Sequence, residues 1–93
     1  MAAVNYYYSS VSSNLELKKN QQKIEMILDS KKIPYNKLDV AADTDLRDKM
    51  RGIIGDPKAL PPQLFNGDTY CGDFDAFEEA LETETLEEFL KLK

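Results

Sequence analysis

The sequence contains no histidine, a single cysteine at Cys71, and four glycines among 93 residues. Without imidazole the usual neutral-pH proton carrier is missing, so Ser-His-Asp and Cys-His catalysis are excluded, and most zinc and iron sites lose their commonest ligand. No metal site is expected. A lone cysteine cannot close an intramolecular disulfide, which argues for a reducing compartment and a cytoplasmic protein. The glycines at 52, 55, 67 and 72 stand singly, whereas a phosphate-cradling loop needs them clustered. No apolar run approaches the roughly 18 residues of a membrane span. Met1 to Asn5 carry neither a charged nor a long apolar leader segment, so neither membrane insertion nor processing is expected. Basic residues are also in short supply. The 12 Lys and Arg against 17 Asp and Glu leave a net charge of -5, which opposes phosphate backbones, and nucleic acid is not an expected partner.

What is present suits one compact domain over residues 1–93, expected to be a monomer, with 42% hydrophobic residues to form a single core. Val4-Asn5-Tyr6-Tyr7-Tyr8 is β-branched and aromatic and predicts a first strand, its three tyrosines divided between two faces. Ser13-Asn14-Leu15-Glu16 matches a capping box, with Ser13 as the cap, and predicts a helix whose Leu17, Ile24, Ile27 and Leu28 share one stripe. Ile33-Pro34 ends it. Residues 35–40 predict a second, parallel strand. Asp43 or Thr44 then caps a helix with Leu46, Met50, Ile53 and Ile54 on one face, closed by Gly55. Asn66-Gly67-Asp68 predicts a hairpin turn into a short strand over 69–71, and Gly72-Asp73 opens a helix directing Phe74, Phe77 and Leu81 inward. Thr85-Leu86-Glu87-Glu88 repeats the capping pattern before Phe89 and Leu90.

The stretch that constrains the chain most is Ala59-Leu60-Pro61-Pro62-Gln63-Leu64-Phe65-Asn66-Gly67. Each proline removes a backbone donor, so the pair belongs at the start or edge of a strand. The order of elements resembles a glutaredoxin. Pro61-Pro62-Gln63-Leu64-Phe65-Asn66-Gly67-Asp68, Tyr70-Cys71-Gly72-Asp73 and Leu86-Glu87-Glu88-Phe89-Leu90-Lys91-Leu92 are similar to the SH3-domain-binding glutamic-acid-rich-like family, and the likeness runs the whole chain. It implies an α/β, thioredoxin-like (glutaredoxin-like) fold with a four-stranded mixed sheet, order β-α-β-α-β-β-α plus a short C-terminal helix. It also implies a cis proline at Pro62.

In glutaredoxins a Cys-x-x-Cys or Cys-x-x-Ser follows the first strand, where a helix N-terminus stabilises the thiolate. The matching residues here, Ser9, Ser10, Val11, Ser12 and Ser13, include no cysteine, and a serine without a base cannot exchange with disulfides. The resemblance therefore implies a non-catalytic binding or adaptor module, a modulator of redox or signalling proteins in cytoplasm and nucleus. Its expected groove comprises those five residues with Leu60, Pro61, Pro62, Gln63, Gly72, Asp73, Phe74 and Asp75. Cofactors are expected to be absent, with glutathione at most weakly held, because Pro61 precedes the cis proline and lacks the N–H that glutaredoxins offer to the tripeptide. Cys71 is either a small apolar core residue or a reactive thiol under a helix dipole, the latter underlying an alternative glutathione-linked redox function. Partners are expected to be proteins, met through the groove or the proline-rich segment. Ala59 breaks an SH3-type Pro-x-x-P with Pro62, while Pro61-Pro62-Gln63-Leu64-Phe65 resembles an EVH1-domain ligand, which docks as free polyproline II.

Overall fold

Alternation along the first strand sets the architecture. In the computed structural model, which describes residues 2–11 and 14–93, β1 (Val4–Tyr8) is central. It pairs in parallel with β2 (Tyr35–Asp39) and antiparallel with β3 (Gln63–Asn66), and β3 pairs antiparallel with β4 (Thr69–Asp73). The sheet order is β2-β1-β3-β4. Helices α1 (Leu15–Ser30), α3 (Phe74–Glu82) and the short α4 (Leu86–Phe89) cover one face, and α2 (Thr44–Ile54) covers the other.

Successive residues of a strand point to opposite faces. Val4, Tyr6 and Leu64 are accordingly buried with Ile24, Leu28, Phe77 and Leu90, whereas Tyr7 and Phe65 are buried with Met50 and Val40 beneath α2. The tyrosine run divides as expected: Tyr6 stacks on Tyr8 at 5.6 Å on one face, and Tyr7 meets the Phe65 ring edge at 4.9 Å on the other. The buried Tyr6 hydroxyl is satisfied by the Glu25 carboxylate at 3.0 Å and the Gln21 carbonyl at 3.2 Å.

Local signals set most of the ends. Gly55 takes φ 81° and donates to the Arg51 carbonyl, closing α2. Gly67 takes φ 58° as the first of the two residues joining β3 to β4, a conformation that glycine reaches without penalty. Two capping assignments change. The cap of α1 is Asn14, whose side-chain oxygen accepts the N–H groups of Glu16 and Leu17 at 2.8 and 3.4 Å; Ser13 lies outside the described residues. Thr85 makes no side-chain cap bond, because its hydroxyl pairs with that of Thr83 at 2.7 Å. The strand expected over 69–71 also runs two residues further, so Gly72 belongs to β4 and Asp73 is the cap of α3.

Gly52 has no evident structural role. It lies on the exposed side of α2, and a Cβ built there meets nothing within 4 Å. Gly52→Ala is expected to raise stability by about 0.5–1 kcal/mol by restricting the unfolded chain. The check is a higher urea midpoint with unchanged slope.

Candidate functional site

The Pro61–Pro62 peptide bond is cis. Pro62 is buried and Pro61 half-buried, and they lead from the loop after α2 into β3. This loop is held from both sides. Arg51 Nε donates to the Ala59 carbonyl at 3.0 Å, and Gln63 Nε2 donates to the Leu60 carbonyl at 2.8 Å. Gln63 is itself buried and accepts from the Tyr70 hydroxyl at 2.8 Å. Burial, with the Asp73 charge adding to it, raises the Tyr70 pKa, so the phenol stays a donor at neutral pH.

These residues form the floor of an open cleft of about 480 Å³. Leu60, Pro61, Pro62, Gln63 and Tyr70 line it, with Asp73, Phe74 and Asp75 from the start of α3. Its remaining walls are Glu16 and Asn20 of α1, Ile54 at the end of α2, and Asp56, Lys58 and Ala59 after it. Of the expected groove residues, the structure thus gathers the proline pair, Leu60, Gln63 and 73–75.

Ser9 and Ser10 do not join them. Gln21, buried on α1, accepts the Ser9 N–H at 2.8 Å and donates to the Ser9 carbonyl at 3.0 Å. Ser10 N–H donates to Asp39 at 3.1 Å, and the Ser9 hydroxyl donates to the Val11 carbonyl at 2.6 Å. These bonds turn Ser9 and Ser10 toward a separate hollow lined with Tyr8, Lys18, Gln22 and Glu25. Val11 is 75% exposed and does not line the cleft, and Ser12 and Ser13 lie outside the described residues. Glu16 and Asn20 take the place expected for the loop.

Gln21 was not singled out from sequence, although it fits the buried spacing of Leu17, Ile24 and Leu28 as a polar residue on the apolar stripe. Its two bonds to one backbone residue clamp the loop. Gln21→Ala is expected to cost about 1–3 kcal/mol, the usual consequence of leaving buried backbone groups unpaired, and to speed amide exchange at Ser9. Unchanged stability and exchange would show the clamp to be incidental.

Gly72 also lies outside the cleft. It is buried with φ 157°, and a Cβ there would come within 2.7 Å of the Phe89 ring and 2.9 Å of Ala76 Cβ. Its place is the packing of β4 against α3 and α4. Leu64 and Phe65 are completely buried on opposite faces of the sheet. The segment resembling an EVH1 ligand is therefore a strand, and free polyproline II docking would require its removal from the core.

Cys71 is the extra residue where the β3–β4 register shifts, between the Leu64–Gly72 and Phe65–Tyr70 pairs. Partly buried, it packs against the α1/α3/α4 core and lines a hollow of about 420 Å³ with Ala76, Ala80, Thr85 and Phe89. No residue of that hollow lines the cleft. Burial pushes the thiol pKa up, against the opposing effects of Lys91 and the Asn66 N–H. Of the two readings of Cys71, packing and pKa direction both favour the small core residue over the thiol activated by a helix dipole. Among the described residues no group of three or more His, Cys, Asp or Glu side chains is arranged to hold a metal ion, and no helix is long and apolar enough to cross a membrane.

A β-α-β-α-β-β-α order, a cis proline opening the third strand and an open cleft beside it define a thioredoxin-like domain of the glutaredoxin kind, with the chain's only cysteine outside that cleft. Residues 2–93 match the model of the family described as SH3-binding, glutamic acid-rich protein, and the chain belongs to that family. It is 47% identical over 98 aligned positions to an SH3 domain-binding glutamic acid-rich protein homolog of Drosophila melanogaster, an alignment covering 92% of this chain and 62% of that relative. The chain thus spans less than two thirds of that relative's length. Among solved structures it resembles the C. albicans actin interacting protein Aip5 (TM-score 0.77, 23% identity, 97% of this chain and 89% of that one). It likewise resembles the holo form of glutaredoxin C1 from Populus tremula x tremuloides (TM-score 0.70, 16% identity, 97% and 84%). At these identities the two structures establish the fold alone.

Proposed function

We propose that the chain is a non-catalytic protein-interaction module that holds an extended segment of a partner in the cleft beside Pro61 and Pro62. In this reading it acts as an adaptor or modulator of redox or signalling proteins in the cytoplasm and nucleus. The observation that carries the proposal is the separation of thiol and cleft: the glutaredoxin-like groove remains open, while Cys71 lines another hollow and burial raises its pKa. A thiol–disulfide cycle needs a thiolate beside the bound substrate, and both the distance of Cys71 from the cleft lining and the burial that disfavours its thiolate support the non-catalytic reading. Leu60 supports a protein ligand, since it lines the cleft yet leaves 64% of its surface exposed. It offers an apolar surface on which a side chain of a partner can pack. The family description and the relative's name, both of which refer to SH3 binding, and the Aip5 title, which refers to actin interaction, support a binding role of some kind.

The test is selection of random phage-displayed peptides on the immobilised chain. Selected peptides are expected to shift amide signals of Lys58, Leu60, Gln63 and Asp75 and to lose affinity when Leu60→Asp is introduced. Peptides that map only to the outer faces of α3 and α4, unaffected by Leu60→Asp, would refute the cleft as the binding site.

A further inference from the structure

Three backbone groups around the cis bond are closed to a ligand. Pro61 has no N–H, the Ala59 carbonyl is engaged by Arg51, and the Leu60 carbonyl is engaged by Gln63. Main-chain pairing with a ligand strand is reduced there, which gives side-chain charge a larger share in recognition.

That charge is strongly one-sided. Glu16, Asp56, Asp73 and Asp75 line the cleft against Lys58 alone. Five acids elsewhere on the surface are ion-paired: Glu25 with Lys37, Asp48 with Arg47, Asp68 with Lys49, Glu78 with Lys23 and Glu87 with Lys93. None of the four cleft carboxylates has a lysine or arginine partner among the described residues. Three of them also stand at the two helix N-termini that would otherwise attract a ligand's carboxylate. Glu16 is in the first turn of α1, Asp75 is in the first turn of α3, and Asp73 accepts the Ala76 N–H at 3.0 Å. The protein's own carboxylates fill the positions where an anion would be stabilised. Anionic ligands are repelled, and a cationic group placed between the two helix starts meets unpaired carboxylates on both sides.

We propose that the cleft selects a cationic segment of a partner protein, in which arginine or lysine side chains pair with Glu16 and Asp75 while an apolar residue packs on the exposed Leu60. This rests on the interaction-module reading and specifies the chemistry of its partner. Recognition is carried by four localised carboxylates rather than by the net charge of the chain, so it belongs to the cleft and not to the glutamates of α3 and α4.

The experiment titrates the isotope-labelled full chain with three end-blocked peptides of one design. The first alternates arginine and serine around a central leucine, and the others replace every arginine by glutamine or by glutamate. The arginine peptide is expected to shift the amides of Glu16, Lys58, Leu60 and Asp75, to bind at least about tenfold more tightly than the glutamine peptide, and to weaken as salt is raised. The glutamate peptide is expected not to bind. The double variant Glu16→Gln/Asp75→Asn, which removes no side-chain hydrogen bond among the described residues and leaves the Asp73 cap intact, is expected to abolish the preference for arginine. Equal binding of all three peptides in the cleft would overturn the charge selection while leaving the interaction module standing. Arginine-peptide shifts confined to α3 and α4, or unchanged by the double variant, would overturn the proposed site. Absence of cleft shifts with every peptide would count against both readings.

Discussion

Phe65→Ala is expected to destabilise the protein by about 3–5 kcal/mol, the range for deleting a completely buried aromatic side chain. Phe65 has no exposed surface, meets Tyr7 edge-on at 4.9 Å and Tyr70 at 5.2 Å, and closes the cluster beneath α2 with Met50 and Val40. A domain of this size holds only about 5–15 kcal/mol in total, so the variant should unfold at a much lower urea concentration. The substitution also separates two readings of one sequence. As the last residue of a free proline-rich ligand, Phe65 would be dispensable for folding and essential for binding an EVH1-type domain. As a strand residue it is essential for folding. Retained stability in Phe65→Ala would return the segment to the surface and contradict the β3 assignment.

Gly72→Ala should be the next most damaging change. An alanine Cβ would be forced to 2.7 Å from the Phe89 ring and 2.9 Å from Ala76 Cβ, at φ 157°. Overpacking of this kind costs about 1–3 kcal/mol, and holding a residue with a Cβ in a sparsely populated backbone region costs about as much again. The ring of Phe89 is half-buried on the short α4 and can give way, while Ala76 is fixed in α3. Combining Gly72→Ala with Phe89→Ala is therefore expected to be less damaging than the two effects summed. A fully additive pair would exonerate the ring, and a stable single variant with altered ligand binding would restore Gly72 to the groove.

The framework of the fold was legible because its signals are local. The run Val4 to Tyr8 alternates between two cores, Gly55 and Gly67 sit where the chain needs positive φ, and the proline pair can only open a strand. The resemblance carried the cis bond. What could not be read were choices between neighbours and contacts across the chain. Ser13 and Asn14 are both good caps, and sequence does not rank them. The role of Gly72 depends on Phe89, which only the tertiary fold brings against β4. Gln21 was overlooked because a polar residue among Lys18, Lys19 and Gln22 reads as solvent-facing, although its spacing placed it on the buried stripe. Its clamp on Ser9 also helps turn Ser9 and Ser10, natural sequence candidates for one wall of the groove, toward a different hollow.

Whether the cleft still performs as a glutathione site decides between a binding module and a glutathione-linked redox protein. The direct measurement is an amide-resolved NMR titration of the full chain with reduced glutathione into the millimolar range, repeated with Cys71→Ser. Because Pro61 offers no N–H and the two helix starts already carry carboxylates, the predicted result is no saturable shift at Glu16, Leu60, Gln63 or Asp75 in either chain. Saturating shifts at these residues would mean that an anionic tripeptide fits the cleft. If they were accompanied by a mixed disulfide at Cys71 that the serine variant lacks, the chain would be a glutathione-linked redox protein and not the binding module described here.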